Sequence, residues 1–350
     1  MPLYSTACPL PINRKIFRHR VSFSPTDLTG LSLWLKGDAG VTTSTVTPTY
    51  ISQIVISGAG ESTSNGTYVR SSGGNTTFYS GSNAIQGGEA NWLLYDDSFG
   101  DTTYENTNSL EQNSWTEYNA TGAPSAVNTT SSGTPYTGVT SWADQSGNGR
   151  NATPHNPTNK PLFNASDKNE KPTISLTSMS DAIERVFTIS SNPLGASGST
   201  AFSVQYVEDV CGVGDDNGAL LGNFGASEIQ THYPYGPDCL VYDAFATTSR
   251  KEALTPPTTI SDAWSIYSVH STNGEWKNYA NGQLMHSDTG NTYDNSIGGD
   301  DTTLYIGKQT GLGYFSLKGK VAEVIVYNRV LTTPELQQVE AYLNAKYAIY

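Results

Sequence analysis

The chain has 350 residues, a formal net charge of −13 at pH 7, 36% hydrophobic residues and 15% charged residues. Both fractions are low; Gly, Tyr, Ser, Thr and Asn fill the gap, a composition that fits β-rich, loop-rich extracellular or virion proteins better than helical enzymes. The acidity excludes nucleic acid as a partner for the body of the protein, because phosphate binding needs clustered positive charge. No apolar run reaches the roughly 18 residues needed to span a bilayer, so no membrane insertion is expected.

In chain order, Met1 to Thr29 reads as an extended arm. Pro2, Pro9, Pro11 and Pro25 forbid a long helix there. Arg14, Lys15, Arg18, His19 and Arg20 make the one dense basic patch of an acidic chain. Such a patch suits a solvated terminus or a docking arm that orders on an acidic partner surface. The positive charge follows a modest apolar start, the reverse of a secretory signal. Export is therefore expected inside an assembled particle or by lysis.

Leu31 to Leu35 alternates Leu, Ser, Leu, Trp, Leu and predicts the first strand; Gly37 to Gly40 predicts a turn. A different segment lies between about Pro48 and Pro135. It carries Ile51 to Gly60, the run Asn65-Gly66-Thr67-Tyr68-Val69-Arg70, and scattered Trp and Tyr. Asn65-Gly66 and Gly73-Gly74 are hairpin signals, so a small antiparallel sheet with an aromatic core is expected. Its place between the first and second strands of a larger fold makes it an insertion, which costs only loop entropy. Thr129 to Thr137 is a Ser/Thr/Gly/Pro linker.

Beyond it, strands are predicted at Val139 to Trp142, Lys171 to Leu176, Ala201 to Val207 (alternating, hence half-buried), Gly218 to Phe224, Trp264 to His270 and Leu304 to Ile306. Ser146 to Gly149 is a tight turn, and Trp276 to Leu284 a hairpin with Asn281-Gly282 as its type I′ turn. His232 to Asp238 and Gly311 to Tyr314 read as polar-aromatic loops. Val321 to Tyr327 is a near-continuous apolar run that suits a strand buried on both faces. Thr333 is the expected N-cap of a closing helix, with Pro334 and Glu335 in its first turn and Leu336, Val339, Leu343 and Tyr347 on one face.

The closing segment Ala322-Glu323-Val324-Ile325-Val326-Tyr327-Asn328-Arg329 with its helix is similar to the end of concanavalin A-like (laminin-G-like) lectin domains of bacterial surface and phage structural proteins. Leu31-Ser32-Leu33-Trp34-Leu35-Lys36-Gly37-Asp38-Ala39-Gly40 resembles the opening motif of that family. Trp142-Ala143-Asp144-Gln145-Ser146-Gly147-Asn148-Gly149-Arg150-Asn151-Ala152-Thr153 resembles its second motif. The resemblance covers Leu31 to about Val41 and about Val139 to Tyr350. It implies a jelly-roll sandwich, and binding more readily than catalysis, because that fold hosts many functions. The opening of the inserted segment is similar to a small β-module of phage and marine viral structural proteins.

A catalytic site needs convergent residues. Glycoside hydrolases on this sandwich usually place alternate carboxylates on one strand, hence on one face. Here Glu208-Asp209 and Asp215-Asp216 are adjacent pairs instead. There is no Gly-x-Ser-x-Gly elbow, His-Glu-x-x-His string or phosphate-binding loop. His155, His232, His270 and His286 stand apart and read as surface or turn residues. Cys8, Cys211 and Cys239 are too few for a disulfide scaffold. Cys211 and Cys239 pair only if the fold brings their Cα atoms within about 7 Å; isolated thiols are the expected state, since nothing indicates an oxidising compartment. Asp209, Asp215 and Asp216 form the densest oxygen cluster and are the candidate calcium ligands, with Gly299-Asp300-Asp301 as a second cluster; neither has EF-hand spacing.

Sugars stack their C–H faces on aromatic rings while acids and amides take the hydroxyls. Trp34, Trp142 and Trp264 are expected in the core. The loop residues Tyr233, Tyr235, Asp238 and Tyr314 are the candidate ligand contacts.

The expected fold is therefore all-β: a concanavalin A-like jelly-roll sandwich (residues 30–47 and 138–350) with an inserted small antiparallel β-module (48–137), an N-terminal docking arm (1–29) and a C-terminal helix. The expected protein is a non-catalytic virion surface component (phage decoration, fibre or adhesion protein), homo-oligomeric, bound to other virion proteins through Arg14, Lys15, Arg18 and Arg20. A cell-surface glycan is its candidate ligand and calcium its candidate cofactor. The alternatives are a carbohydrate-binding module of a bacterial surface or secreted protein, and a glycoside hydrolase with unfamiliar catalytic residues.

Overall fold

The computed structural model describes residues 23–47, 49–60, 62–70, 77–80, 83–87, 92–95, 102–106, 116–117, 124–132, 134–177, 185–208, 220–221, 224, 231–235, 238–296, 304–308 and 317–350. Two strands open it, β1 (Leu31–Lys36) and β2 (Val41–Val46). Eight follow in the inserted segment: β3 (Thr49–Ser57), β4 (Gly66–Arg70), β5 (Thr77–Ser80), β6 (Asn83–Gly87), β7 (Trp92–Tyr95), β8 (Thr102–Asn106), β9 (Thr116–Glu117) and β10 (Ser125–Ser132). Then come β11 (Tyr136–Trp142), β12 (Ala152–Pro154), β13 (Leu162–Lys168), β14 (Lys171–Ser175), β15 (Phe187–Ile189) and β16 (Gly198–Val207). The last group is β17 (His232–Tyr235), β18 (Leu240–Asp243), β19 (Lys251–Leu254), β20 (Ala263–Thr272), β21 (Glu275–Ala280), β22 (Gln283–Asp288), β23 (Leu304–Ile306), β24 (Gly319–Tyr327) and the helix α1 (Thr333–Tyr347).

One antiparallel path runs β22-β21-β20-β16-β24-β14-β13-β11-β12-β15-β23, with β1 beside β24 and β2 beside β11. Trp276, near one end of the path, and Ile306, at the other, lie in the same buried cluster. The sheet therefore closes on itself around one core, as in a two-layer sandwich. Along β24 the side chains alternate: Val321, Val324 and Val326 enter that core, while Ala322, Ile325 and Tyr327 enter a second cluster beneath α1. The helix contributes Leu336, Val339, Leu343 and Tyr347 to this second cluster. Each such aliphatic burial is worth about 1.5–3 kcal/mol. Because the helix covers the outer face, β16 is buried at nine of its ten positions. The half-buried strand expected from its alternation is thus corrected: a second, amphipathic layer hides the face that alternation marks as polar.

The three motifs meet at β1. One edge of β1 pairs with β24. The other is closed by the segment after β11, whose side chains stand in for a neighbouring strand. The Asp144 Oδ1 accepts the Trp34 backbone N–H at 2.9 Å, and the Arg150 guanidinium and Ser146 hydroxyl donate to the Ser32 carbonyl at 2.9 and 3.1 Å. The Trp142 indole donates to the Lys36 carbonyl at 2.8 Å. Gly37 is tight as well: a Cβ there would stand 2.5 Å from the Pro172 carbonyl oxygen.

Beneath the helix lies the Glu323 carboxylate, with no solvent exposure. A register shift against β16, where Gln205 faces Val321 and Val204 faces Glu323, puts an extra residue into β24 and turns Glu323 to the helix side. Its Oε1 accepts the Trp34 indole N–H at 2.6 Å and the Tyr342 hydroxyl at 3.0 Å; its Oε2 accepts the Lys346 ammonium at 2.7 Å and the Tyr347 hydroxyl at 2.8 Å. Lys346 also reaches Asp38 at 2.8 Å. The helix begins one residue earlier than expected. Thr332, not Thr333, is the N-cap, and the Glu335 carboxylate accepts its N–H at 2.8 Å while pairing with Arg329 at 2.7 Å.

The inserted strands pair only among themselves within the described residues, in the order β10-β3-β4-β5-β6-β7-β8-β9. They share a separate apolar cluster that includes Ile54, Ile56, Tyr68, Phe78, Ile85 and Leu94. β2 pairs with β11 on either side of this segment, with Val46 opposite Tyr136. Asn65-Gly66 is not a two-residue turn. The positive φ falls on Gly58, and Asn65 bridges the loop by accepting the Ala59 N–H at 3.0 Å. Gly73-Gly74 and the basic arm lie outside the described residues. In the sandwich, Asn281 and Gly282 do form the predicted hairpin turn, with φ of 50° and 73°. Of Gly218 to Phe224, expected as a strand, Leu220 and Leu221 sit in a turn and Phe224 in a β-bridge; the rest lies outside the described residues.

Removing the fully buried Glu323 leaves the Trp34 indole and the Tyr342 and Tyr347 hydroxyls without their acceptor, while the partly exposed Lys346 keeps Asp38. Glu323→Ala is expected to cost about 3–5 kcal/mol of unfolding free energy, read by urea denaturation. Trp34→Phe, which removes one donor to a charged group, is expected to cost less, about 1.5–3 kcal/mol.

Candidate functional site

β17, β18 and β19 form a small separate sheet whose two faces do different things. The residues His232 to Asp238, expected to be a loop, are a strand as far as Tyr235. The proline at position 234 hides that strand in the sequence, since it removes a ladder donor. A register shift between His232 and Tyr235 breaks the simple alternation. As a result Tyr233 points inward and is 3% exposed, whereas Tyr235 points outward and is 38% exposed.

The outer face is a row of rings ending in an ion pair. His232 and Tyr235 lie 4.8 Å apart, Tyr235 and Tyr242 4.8 Å apart at 66°, and the Arg250 guanidinium sits 4.8 Å over the Tyr242 ring. Arg250 pairs with Glu252 at 2.7 Å, and Glu252 is mostly exposed. Asp238 is exposed at the turn between β17 and β18. Next to it, Cys239 is disulfide-bonded. This corrects the expectation of isolated thiols; spacing alone carries no information on how loops bring sulfurs together.

The inner face meets the core sheet around a small cavity of about 20 Å³. Tyr233, Thr231, Ser203, Gln205, Asp243 and Tyr267 supply its polar lining. Tyr267 donates to Asp243, which also accepts the Phe245 N–H at 3.0 Å. Burial raises the Asp243 pKa, against the lowering effect of the Tyr267, Phe245 and Asn278 hydrogen bonds and the Lys251 charge. Burial likewise raises Tyr267 far above the usual phenol value, with Asp243 adding to it. Lys251, under the sheet, pairs with Asp288 at 2.6 Å, and that bond holds the Asp288 carboxyl below its usual range. Among the described lining residues Asp243 is the only carboxylate; glycosidic cleavage by the common routes uses two.

Of the predicted contacts, then, Tyr235 and Asp238 stand on the surface and Tyr233 in the core. Tyr314, the acidic residues Asp209, Asp215 and Asp216, the Gly299 to Asp301 cluster and the arm residues Arg14, Lys15, Arg18 and Arg20 lie outside the described residues. No group of three or more His, Cys, Asp or Glu among the described residues could hold a metal ion. His232 and His270, expected at the surface or in turns, are 1% and 5% exposed. Burial lowers the His270 pKa although Glu275 stands 2.9 Å away. Sequence reasoning missed Tyr242, Arg250 and Glu252. The signal was present: Gly236-Pro237-Asp238 is a turn-type sequence between the short runs His232 to Tyr235 and Leu240 to Asp243.

Residues 194–337 match the family Laminin_G_3, the concanavalin A-like lectin/glucanases superfamily. The matched segment begins just before β16 and ends within α1, so this part of the sandwich is concanavalin A-like. No curated protein matches the chain in sequence. Similar solved structures include an arabinofuranosidase complexed with arabinofuranosyl-alpha-1,2-xylobiose (12% identity, TM-score 0.41, covering 61% of this chain and 52% of that one). The binding domain of Paraclostridial Mosquitocidal Protein 1 is another (15%, 0.42, 58% and 50%). A third is domain 4 of AbnA, an extracellular arabinanase from Geobacillus stearothermophilus, in complex with arabinotriose (16%, 0.40, 57% and 91%). The chain spans about half the length of the first structures it resembles.

The raised pKa of Asp243 makes a signed prediction. The folded state binds this proton more tightly than the unfolded chain, so ionisation at neutral pH detracts from stability, and the loss is recovered as pH falls through the raised value toward the ordinary 3.8. Asp243→Asn removes the ionisation. Its stability relative to wild type, measured in urea, is expected to be most favourable at about pH 7 and to decline toward about pH 4.5. A difference that does not change with pH would mean that the carboxyl titrates normally.

Proposed function

We propose that this chain is a non-catalytic carbohydrate-binding surface protein, and that the outer face of β17–β19 is its contact surface. The observation that carries the reading is the exposed Tyr235 ring, braced by Tyr242, over which Arg250 stacks while pairing with Glu252, with Asp238 exposed in the turn between β17 and β18. A sugar ring offers apolar C–H faces and a rim of hydroxyls. An exposed phenol supported from behind takes the first, and a guanidinium beside free carboxylate oxygens takes the second. Tyr242 and His232 are immobilised by packing, so little side-chain freedom is lost when a ligand lands. The concanavalin A-like segment is compatible with this role, although a fold by itself assigns no function.

The wider context is part of the same proposal. The protein sits at a virion surface as a homo-oligomer, and Arg14, Lys15, Arg18 and Arg20 dock it to an acidic face of other particle proteins. The inserted module (48–137) is a guest displayed from the sandwich. Asp209, Asp215 and Asp216 hold calcium, and Tyr314 is a further ligand contact. Incorporation of a chain lacking Met1 to Arg20 into particles tests the arm; unchanged incorporation would remove it from the account.

The contact face is tested by screening the wild type on a glycan array and titrating the best ligand by calorimetry. Tyr235→Ala is expected to weaken binding about tenfold, the loss of about 1.4 kcal/mol that one stacking ring supplies. Tyr235→Phe is expected to retain most of the affinity, and neither change to move the melting temperature appreciably. Undiminished binding by Tyr235→Ala would place the contact elsewhere.

A further inference from the structure

We infer that the Arg185 guanidinium, just before β15, is a binding site for an oxyanion: the carboxylate or sulfate group of an acidic sugar. Among the described residues two lysine or arginine side chains are buried, Lys251 and Arg185, each 7% exposed. Lys251 has its counter-ion, Asp288, at 2.6 Å. Arg185 pairs with no carboxylate of the described residues. Its Nη1 donates to the Thr177 carbonyl at 3.4 Å, a long bond to a neutral group, and its Nε is buried without a partner. Its Nη2 makes no hydrogen bond to a described residue and is not among the atoms sealed from solvent. A guanidinium stays charged at every pH a protein meets, so it cannot shed the charge as a buried lysine can. A charge held out of water without a partner is costly, and an anion that pairs with it removes the cost.

The guanidinium is held ready for such a partner. It lies over the Tyr136 ring, 4.7 Å from the centroid, and the Tyr136 hydroxyl donates to the Lys160 carbonyl at 3.1 Å. Stacking on the anchored ring fixes the plane of the fork. Two N–H groups at the Nη edge match two oxygens of a carboxylate or a sulfate. Lys160, in the loop that joins β12 to β13, is a second cation without an acid: its Nζ donates to the Ser44 hydroxyl at 3.2 Å and pairs with no described carboxylate. Glu208 accepts the Thr177 hydroxyl and makes no ion pair with Arg185. In a chain with 32 acidic against 19 basic residues, two cations joined through one tyrosine and free of acidic partners make a local positive site. Free sulfate or phosphate offers the same oxygens, so the sources are separated by experiment. The site belongs to the large sheet and does not depend on what the outer face of β17–β19 binds.

The test is a titration of the full chain, followed by NMR of the arginine Nε–H signals and by melting temperature. The probes are glucuronate, galactose 6-sulfate, sodium sulfate and inorganic phosphate at constant ionic strength, with glucose as the neutral control. The Arg185 signal, identified by its absence in Arg185→Met, is expected to shift saturably with a Kd of about 1–10 mM for the better acidic sugar, about threefold or more below that of either free ion. Arg185→Lys keeps the charge and loses the fork, and is expected to weaken the same binding about tenfold, read from the anion-dependent rise in melting temperature. Arg185→Met is expected to abolish that rise and, without anion, to melt no lower than the wild type, because it removes an unpaired buried charge. Three results would each overturn the inference: no saturable shift of Arg185 with any of the four anions, an anion-dependent rise that Arg185→Met or Arg185→Lys retains in full, or free ions that bind as tightly as the acidic sugars.

Discussion

The structure depends on one buried carboxylate. Glu323 sits at an irregularity of β24, away from solvent, and collects hydrogen bonds from Trp34, Tyr342, Lys346 and Tyr347. A lone charge in that place would cost several kcal/mol; four donors, one of them cationic, make it tolerable. The donors come from the first strand and the last helix, about 300 residues apart in the chain. An apolar contact could join these elements in several registers. A carboxylate with four specific donors accepts only one, and so the network selects the alignment of β1, β24 and α1 as well as contributing to its stability.

This explains what the sequence displays most openly. The residues of the opening motif are the ones that bind Glu323 (Trp34), brace Lys346 (Asp38) and pass tightly under Pro172 (Gly37). In the second motif, Asp144, Ser146 and Arg150 close the free edge of β1. In the closing motif, Arg329 and Glu335 fix the turn into the helix. All three strings describe architecture. The sandwich and the helix were legible because frame residues recur at fixed spacing along strands and helices, whose periods are known in advance.

The binding face was legible only in part, for local reasons. Tyr233 and Tyr235 are two apart and would share a face of a regular strand, but the register shift separates them into core and surface. A shift of that kind has no period and leaves no mark in the hydrophobic pattern. Tyr235 packs on Tyr242 of β18, and Arg250, just before β19, stacks on Tyr242 in turn, so the convergence depends on a sheet that turn signals suggested but that a proline within the run argued against. The same small sheet has an apolar-polar inner face holding Asp243, Tyr267 and Tyr233, an unusual density of buried polar groups between two sheets. The frame is held by one saturated network under the helix, whereas the layer beneath the presented surface is held by another, less saturated one.

The most direct measurement is the exchange rate of the Trp34 indole proton by NMR, compared with the backbone amides at the centre of β24. If Glu323 holds β1, β24 and α1 as a single unit, this proton exchanges only through global unfolding, at the rate of the slowest β24 amides and with the same dependence on denaturant. Exchange several orders of magnitude faster, and insensitive to denaturant, would mean that the helix and first strand open independently, and would contradict the role given to the buried carboxylate.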